Sequence, residues 1–440
     1  MEWWEVLVLL FGSMVAVLLT GLPVAFSFLL VNLVAAYFFL GGIAGLATAT
    51  SAIFSSLTTF TLLPVPFFIM MGEVIFHSGI GLQAIDVVDR WLGKVPGRLS
   101  IMAILTGTMF AALSGSTIAN TGLLGTLLLP EMRKRGYSKT LSMGPIMGIG
   151  GVAMLIPPSA LAVVLASLGK MDVGRLLIAG IIPGVLVASL YLSYVVLACL
   201  IKPSLAPSYE VPKAPWRERL AYTAKYFLPL GFIIFMVIGV IFLGIATPTE
   251  AAATGALGAA VLALFYRKLS WEAIKKSLLG TVRLSTMIFM IIAASDIYSQ
   301  ILAYTGAAPG LVSFVLGLDI PPICVIFGMM IVLIMLGCFM ETISIMMITV
   351  PVFMPIVNAL GFDPIWFGVL MLINLELGFL TPPFGMLLFV MKGISGEDTT
   401  MSDVWKAALP FVVADLVGIL VLICFPQLAL FLPDMMGRIK

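Results

Sequence analysis

Charge is scarce in this chain of 440 residues: Asp, Glu, Lys and Arg together make up 10%, against roughly 25% in an ordinary soluble domain. Histidine occurs once, at His77. That removes His-rich metal sites, HExxH helices and Ser-His-Asp arrangements from consideration. The four cysteines, Cys199, Cys324, Cys338 and Cys424, sit in apolar runs with neither CxxC nor metal-ligand spacing, so they are expected to act as small buried hydrophobes. A net charge of +2 carries no signal for a polyanion such as nucleic acid. The opening Met1-Glu2-Trp3-Trp4-Glu5 has no Lys or Arg, whereas a secretory signal peptide needs a basic n-region. Trp3 onward therefore reads as a first membrane helix with Trp3 and Trp4 as interfacial anchors.

What fills the chain instead is apolar: 61% of it, against roughly 45–50% in soluble domains. The expectation is an all-α polytopic membrane protein in a lipid bilayer. Apolar runs long enough to cross about 30 Å of hydrocarbon lie near 3–20, 22–46, 51–80, 140–168 and 176–201. A second set lies near 227–246, 251–266, 280–303, 364–391 and 407–432. Two stretches, 99–131 and 323–356, are too long for one span, too short for two, and polar or Gly-containing at their middles.

Charge decides what those two stretches are. The first is flanked by Arg90, Lys94 and Arg98 before it and by Arg133, Lys134, Arg135 and Lys139 after it. Basic loops stay on the cytoplasmic side, so both ends lie on one face and the segment is a re-entrant hairpin. The second, flanked by Asp319 and Asp363, re-enters from the other face. With two hairpins and ten spans, 19 of the 23 Lys and Arg residues fall inside, and only Lys170, Arg175, Arg438 and Lys440 outside. Both termini are then periplasmic.

The chain also resembles itself at an offset of 225. Pro23 matches Pro248, Gly81 matches Gly306, and Pro130 matches Pro355. Gly136-Tyr137 matches Gly361-Phe362, and Pro157-Pro158 matches Pro382-Pro383. Residues 1–201 and 226–440 then form two repeats of five spans and one hairpin each, joined by a cytoplasmic linker, 202–225. Five is odd, so the second copy is inverted, which is a signature of secondary transporters.

Irregular backbone at membrane depth survives only where protein or a wet cavity satisfies it. The hairpin tips and the breaks at Ile156-Pro157-Pro158-Ser159 and Leu380-Thr381-Pro382-Pro383 qualify. Proline suits the first turn of a helix, so Thr381 is expected as an N-cap and each Pro pair as a helix restart. Such ends offer free N–H groups to a carboxylate and free carbonyls to a small hard cation such as Na⁺. Ser114, Ser116, Thr117, Ser159, Thr342 and Thr381, with the amide of Asn120, can complete the shell. Among acids at apparent membrane depth, Glu341 at the second tip is the leading candidate, and Glu376 before the Pro pair the next. Glu73 and Asp296 are equally well structural, and Glu250 sits near a break. Asp415, alone in the last helix, is expected to be structural, and His77 to lie at the interface.

These residues closely resemble the large membrane subunit of tripartite ATP-independent periplasmic (TRAP) transporters over essentially the whole chain. The segments that carry the resemblance are LPVPFFIMMG (63–72) with Glu73, SGSTIANTGLLG (114–125), LPEMRKRGY (129–137), IPPS (156–159), and PG at 183–184. GCFMETISIMMITVPVFMP (337–355), GFDPIWFGV (361–369) and GFLTPPFG (378–385) complete the set. The resemblance implies a scaffold plus a moving transport domain that works as an elevator. It implies Na⁺-driven uptake of an organic acid anion, such as a C4-dicarboxylate or sialic acid. The partners it implies are a small four-helix membrane subunit and a periplasmic substrate-binding protein.

By position, the resemblance places Ser114, Gly115, Ser116, Thr117 and Asn120 against Pro157, Pro158 and Ser159 around one Na⁺. It places Gly337, Glu341 and Thr342 against Thr381, Pro382 and Pro383 around the other, with substrate between. Asn120 stands where relatives usually have Thr, and Glu341 where they often have Asp. No cofactor is expected beyond Na⁺ as coupling ion. An intramembrane enzyme lacks any catalytic constellation here. The alternative is a stand-alone ion-coupled carboxylate carrier or a Na⁺/H⁺ antiporter.

Overall fold

The computed structural model describes residues 1–114, 116–209 and 215–436. Among them every regular element is a helix. It begins with α1 (Trp3–Leu19), α2 (Val24–Phe39), α3 (Ile43–Leu57), α4 (Pro64–Ser78) and the short α5 (Leu82–Trp91). A first hairpin pairs α6 (Arg98–Ser114) with α7 (Thr117–Lys134). Then come α8 (Lys139–Gly151), α9 (Ala160–Leu168), α10 (Val173–Ala179) and α11 (Ile181–Ile201). After the linker follow α12 (Trp216–Tyr222), α13 (Leu228–Phe242), α14 (Pro248–Phe265), α15 (Trp271–Tyr304) and α16 (Ala307–Leu316). A second hairpin pairs α17 (Pro322–Gly337) with α18 (Thr342–Ala359), and α19 (Pro364–Leu380), α20 (Met386–Ile394), α21 (Met401–Cys424) and α22 (Gln427–Met436) complete the chain.

Seven helical stretches among the described residues are long and apolar enough to cross a membrane, and several shorter apolar helices accompany them. Every residue of α19 from Ile365 onward is buried, as is α8 from Leu141 to Gly151. These two helices form the centre. Around them α13 and α14 turn Phe232, Val261 and Phe265 outward, which is the favourable direction when the solvent is hydrocarbon.

The helix bounds keep the 225-residue spacing. Helices α5 and α16 begin and end 225 residues apart, and so do α7 and α18. The continuous α15, about 51 Å long at 1.5 Å per residue, occupies the positions of α3 and α4 together. The expected division of 22–80 into two spans is corrected here. Helix α3 runs straight through the supposed break at 47–50, and the chain turns instead at Gly41-Gly42 and again between Thr58 and Leu63. Gly41 and Gly42 have φ of +91° and +68°, a left-handed backbone that glycine adopts without Cβ strain. In a uniformly apolar stretch this pair marks the turn and hydropathy does not. The short helices α5 and α16 before the hairpins were not anticipated.

Buried polar side chains staple the helices together. Asn32 on α2 donates from Nδ2 to Ala294 O on α15 (2.7 Å), and Asn374 on α19 donates to Met330 O on α17 (3.1 Å). Glu250, which the sequence placed near a break, closes a capping box with Thr247 at the start of α14, two orphan helix donors satisfied at once. Interhelical polar contacts in membranes contribute about 0.6–1.7 kcal/mol. Asn32→Leu is therefore expected to lower stability by about 1 kcal/mol, seen as a lower unfolding temperature of the solubilised protein. An unchanged unfolding temperature contradicts the assignment.

Candidate functional site

At the first tip, Ser116 leaves the helical region (φ −118°, ψ 111°) and caps α7, its Oγ accepting from Ala119 N at 3.3 Å. Serine does this well because its short side chain reaches an orphan N–H of the first turn. Thr117, Asn120 and Thr121 follow at i, i+3 and i+4, the spacing of one helix face. That face meets α8. Asn120 Nδ2 donates to Gly107 O (3.1 Å) and reaches Ile149 O (3.5 Å), and the missing side chain at Gly150 makes room for Thr121 Oγ1. Thr117 Oγ1, Asn120 Oδ1 and Thr121 Oγ1 are buried with no hydrogen-bond partner among the described residues. An unpaired buried polar group costs about 1–3 kcal/mol, and these three lie on one face of α7. Gly115 and the Ser114 side chain lie outside what is described.

Helix α8 ends in a 3₁₀ turn, Val152–Met154, and the chain runs irregularly through the buried Pro157 and Pro158 to α9. Ser159 is the N-cap of α9, its Oγ accepting from Ala162 N at 3.2 Å. The helix therefore restarts at Ala160, two residues beyond the Pro pair, and not on it. The contacts of α7 with residues 149–154 set the first tip beside the first break.

At the second tip, α17 ends at Gly337, which lies directly on the backbone of Gly378 in α19. Cys338 Sγ lies 3.4 Å from Pro382 O and 3.2 Å from Ile334 O, and the Phe339 and Phe384 rings are 5.7 Å apart. Tip and break are therefore in contact. Glu341 is the N-cap residue of α18, and its Oε2 accepts from Ser344 Oγ at 3.4 Å. Thr342 Oγ1 is buried without a partner among the described residues.

Thr381 corrects the sequence expectation. It caps the C-terminal end of α19, and its Oγ1 donates back to Leu377 O at 2.7 Å. Helix α20 starts only at Met386, after Gly385. Two consecutive prolines lack two N–H donors, so the backbone stays irregular through Pro382 and Pro383, both exposed. The local pattern Thr-Pro-Pro fits a cap at either end, and the back-bond to Leu377 selects the C-terminal one.

The stems of the two broken helices cross at Gly151 and Glu376, where only a glycine leaves space for the Glu376 side chain. These residues are 225 positions apart. Asp415, expected to stand alone, does not: Tyr191 OH hydrogen-bonds Asp415 Oδ1 and lies 3.2 Å from Glu376 Oε1. His77 pairs with Glu73 (Nε2 to Oε2, 3.1 Å) on the same face of α4. Sequence reasoning includes Thr121 in the first tip without singling out its side chain, although the i+4 spacing from Thr117 points to it. It missed Tyr191, for which there is no local signal.

Residues 11–428 match the family described as "Tripartite ATP-independent periplasmic transporter, DctM component". The C4-dicarboxylate TRAP transporter large permease protein DctM of Pseudomonas aeruginosa is 33% identical over 88% of this chain and 89% of its own length. The sialic acid TRAP transporter large permease protein SiaM of Vibrio cholerae is 30% identical, covering 95% and 96%. The fold is similar to that of the YdaH transporter of Alcanivorax borkumensis, with a TM-score of 0.62 at 13% identity over 94% of this chain and 97% of that one. A helical polytopic architecture and a family match over nearly the full length converge: this chain belongs to the DctM family, the large permease subunits of TRAP transporters.

Proposed function

We propose that this permease carries an organic acid anion into the cell with Na⁺ as co-transported ion. The observation that carries the reading is the set of buried oxygens without partners among the described residues at both tips: Thr117 Oγ1, Asn120 Oδ1 and Thr121 Oγ1 at the first, Thr342 Oγ1 at the second. Hydroxyl and carbonyl oxygens suit a hard monovalent cation. Each set opens a helix, α7 or α18, whose free N–H groups favour a carboxylate. Ser116, Ser159, Gly337 and Thr381 lie on the same tips and breaks. Relatives named for C4-dicarboxylate and sialic acid support a carboxylate as cargo. In this reading a periplasmic binding protein delivers the acid, a small four-helix subunit braces the scaffold, and the hairpin-bearing domain slides as an elevator in the bacterial inner membrane.

The test is uptake into proteoliposomes holding the permease with its small subunit and a candidate binding protein, against a panel of acids. Uptake is expected only with an inward Na⁺ gradient and the matching binding protein. Uptake at the same rate without either would overturn the proposal.

The inverted arrangement of 1–201 and 226–440 about the linker 202–225 has its own test. Lys134 and Ala359 are exposed and 225 residues apart, at the ends of α7 and α18. In a background freed of the four cysteines, a membrane-impermeant thiol reagent added outside is expected to label Ala359→Cys and spare Lys134→Cys. Labelling of both, or of Lys134→Cys alone, contradicts the inversion.

A further inference from the structure

Tyr191, Glu376 and Asp415 come from α11, α19 and α21 and are all completely buried. The phenol oxygen sits between the two carboxyl groups, bonded to Asp415 Oδ1 and 3.2 Å from Glu376 Oε1. A phenol has one hydrogen to donate. It satisfies one of these contacts as O–H···O. The other pairs two oxygens and becomes a hydrogen bond only if that carboxyl group itself holds a proton. The outer oxygens, Glu376 Oε2 and Asp415 Oδ2, have no partner among the described residues.

Among the described residues no cation stands by to balance two negative charges. The surrounding surface is the Phe411 ring, 5.1 Å from that of Tyr191, with Gly148 and Gly151 of α8. The charged groups on the packed elements are engaged elsewhere. Lys139 of α8 binds Asp403 of α21, Arg98 of α6 binds Asp89, Arg175 of α10 binds Asp434 of α22, and Lys392 of α20 bonds Gly396 O. Asp363 caps the start of α19, and Glu341, the N-cap residue of α18, accepts from Ser344 Oγ. Lys406 on α21 and Lys202 beyond α11 are nine and eleven residues along their helices, about 13 and 16 Å of rise. The thiols Cys199 and Cys424 lie eight and nine residues along these helices, Cys338 lies on the second tip and Cys324 is exposed, while the Tyr194 ring meets that of Phe411 edge-on at 5.5 Å. Two ionised carboxylates held together in such a place repel strongly, a cost that one shared proton removes.

We propose that Glu376, Tyr191 and Asp415 form a proton-binding site at the centre of the permease, in which a proton held by the carboxyl pair bonds α19 to α11 and α21. The site differs from the sodium sites proposed at the hairpin tips, and it does not depend on them. Its consequence is a dependence on pH. With the proton lost at alkaline pH, two charges remain in the core, α19 loosens from its neighbours, and the stem that carries Gly378 against the hairpin tip moves with it.

The test is infrared spectroscopy of the full-length permease in lipid nanodiscs, in H₂O and D₂O at neutral pH. The wild type is expected to show the C=O stretch of an un-ionised carboxylic acid, sensitive to deuteration and lost in Glu376→Gln/Asp415→Asn. Tyr191→Phe, which keeps both acids and removes the phenol, is expected to shift that band. Thermal unfolding supplies a second readout. The wild type is expected to lose stability as pH rises into the alkaline range, and the amide variant to lose this dependence. A spectrum without an acid band, or one unchanged in both variants, overturns the proposal. A pH profile of unfolding that the amide variant shares with the wild type does so equally.

Discussion

Replacing Thr117 by valine is expected to leave the permease at least as stable as the wild type while raising the Na⁺ concentration needed for half-maximal uptake about tenfold, a loss of about 1.4 kcal/mol of ion binding. The two effects have opposite signs because of where the hydroxyl is. Thr117 Oγ1 is buried and unpaired among the described residues, and leaving such a group unsatisfied costs about 1–3 kcal/mol. Valine keeps the branched shape and removes the unpaired atom. A residue whose hydroxyl served the fold would behave the other way: Ser116, which caps α7, should cost about 1 kcal/mol on conversion to alanine. Sodium itself supplies the control. An ion that binds only the folded state stabilises it by about 2.7 kcal/mol at a hundred times its dissociation constant, so added NaCl should raise the wild-type unfolding temperature, with KCl as reference. That increment should shrink in Thr117→Val. If the variant unfolds earlier in KCl and keeps its full response to Na⁺, Thr117 is a structural residue and the first ion site lies elsewhere.

The helix pairs α6–α7 and α17–α18 were legible from the polar, glycine-containing middles of their stretches, because such residues act locally. A basic loop reports its side of the membrane wherever it occurs, and a Pro pair interrupts a helix in any context. The bounds of α7 and α18 follow from that spacing. The division of residues 22–80 was not legible, since hydropathy is flat across Gly41-Gly42 and only the backbone angle at the glycines reveals the turn. Thr381 illustrates a second limit. A threonine before proline can accept from the helix that follows or donate to the helix that precedes, and the choice is set by where α20 can begin. Tyr191, Glu376 and Asp415 illustrate a third. They lie 185 and 224 residues apart in pairs, and no window along the chain contains their meeting. Asp415 looked isolated because isolation was judged along one helix.

Gly337 and Gly378 bear most directly on whether tip and break work as one unit. A side-chain carbon added at Gly337 would stand 2.7 Å from Gly378 Cα, and one added at Gly378 would stand 2.7 Å from Gly337 Cα. The obstacle is backbone on both sides, so no rotamer change relieves it, and α17 and α19 must separate. Small residues are what permit such an approach between membrane helices. Gly337→Ala is therefore expected to cost about 1–3 kcal/mol by overpacking. It should also abolish most uptake, because the separation draws the tip bearing Glu341 and Thr342 away from Thr381 and Pro382. Gly328 lies on the same helix with open space around its missing side chain. Gly328→Ala should leave uptake and stability near wild type, which separates the effect of the crossing from that of alanine in α17. Were Gly337→Ala to transport at the wild-type rate with unchanged Na⁺ dependence, the contact would be packing alone. The second ion site could not then depend on the distance between hairpin and broken helix, and the coupling would have to rest on the α7–α8 contact at Asn120 and Thr121.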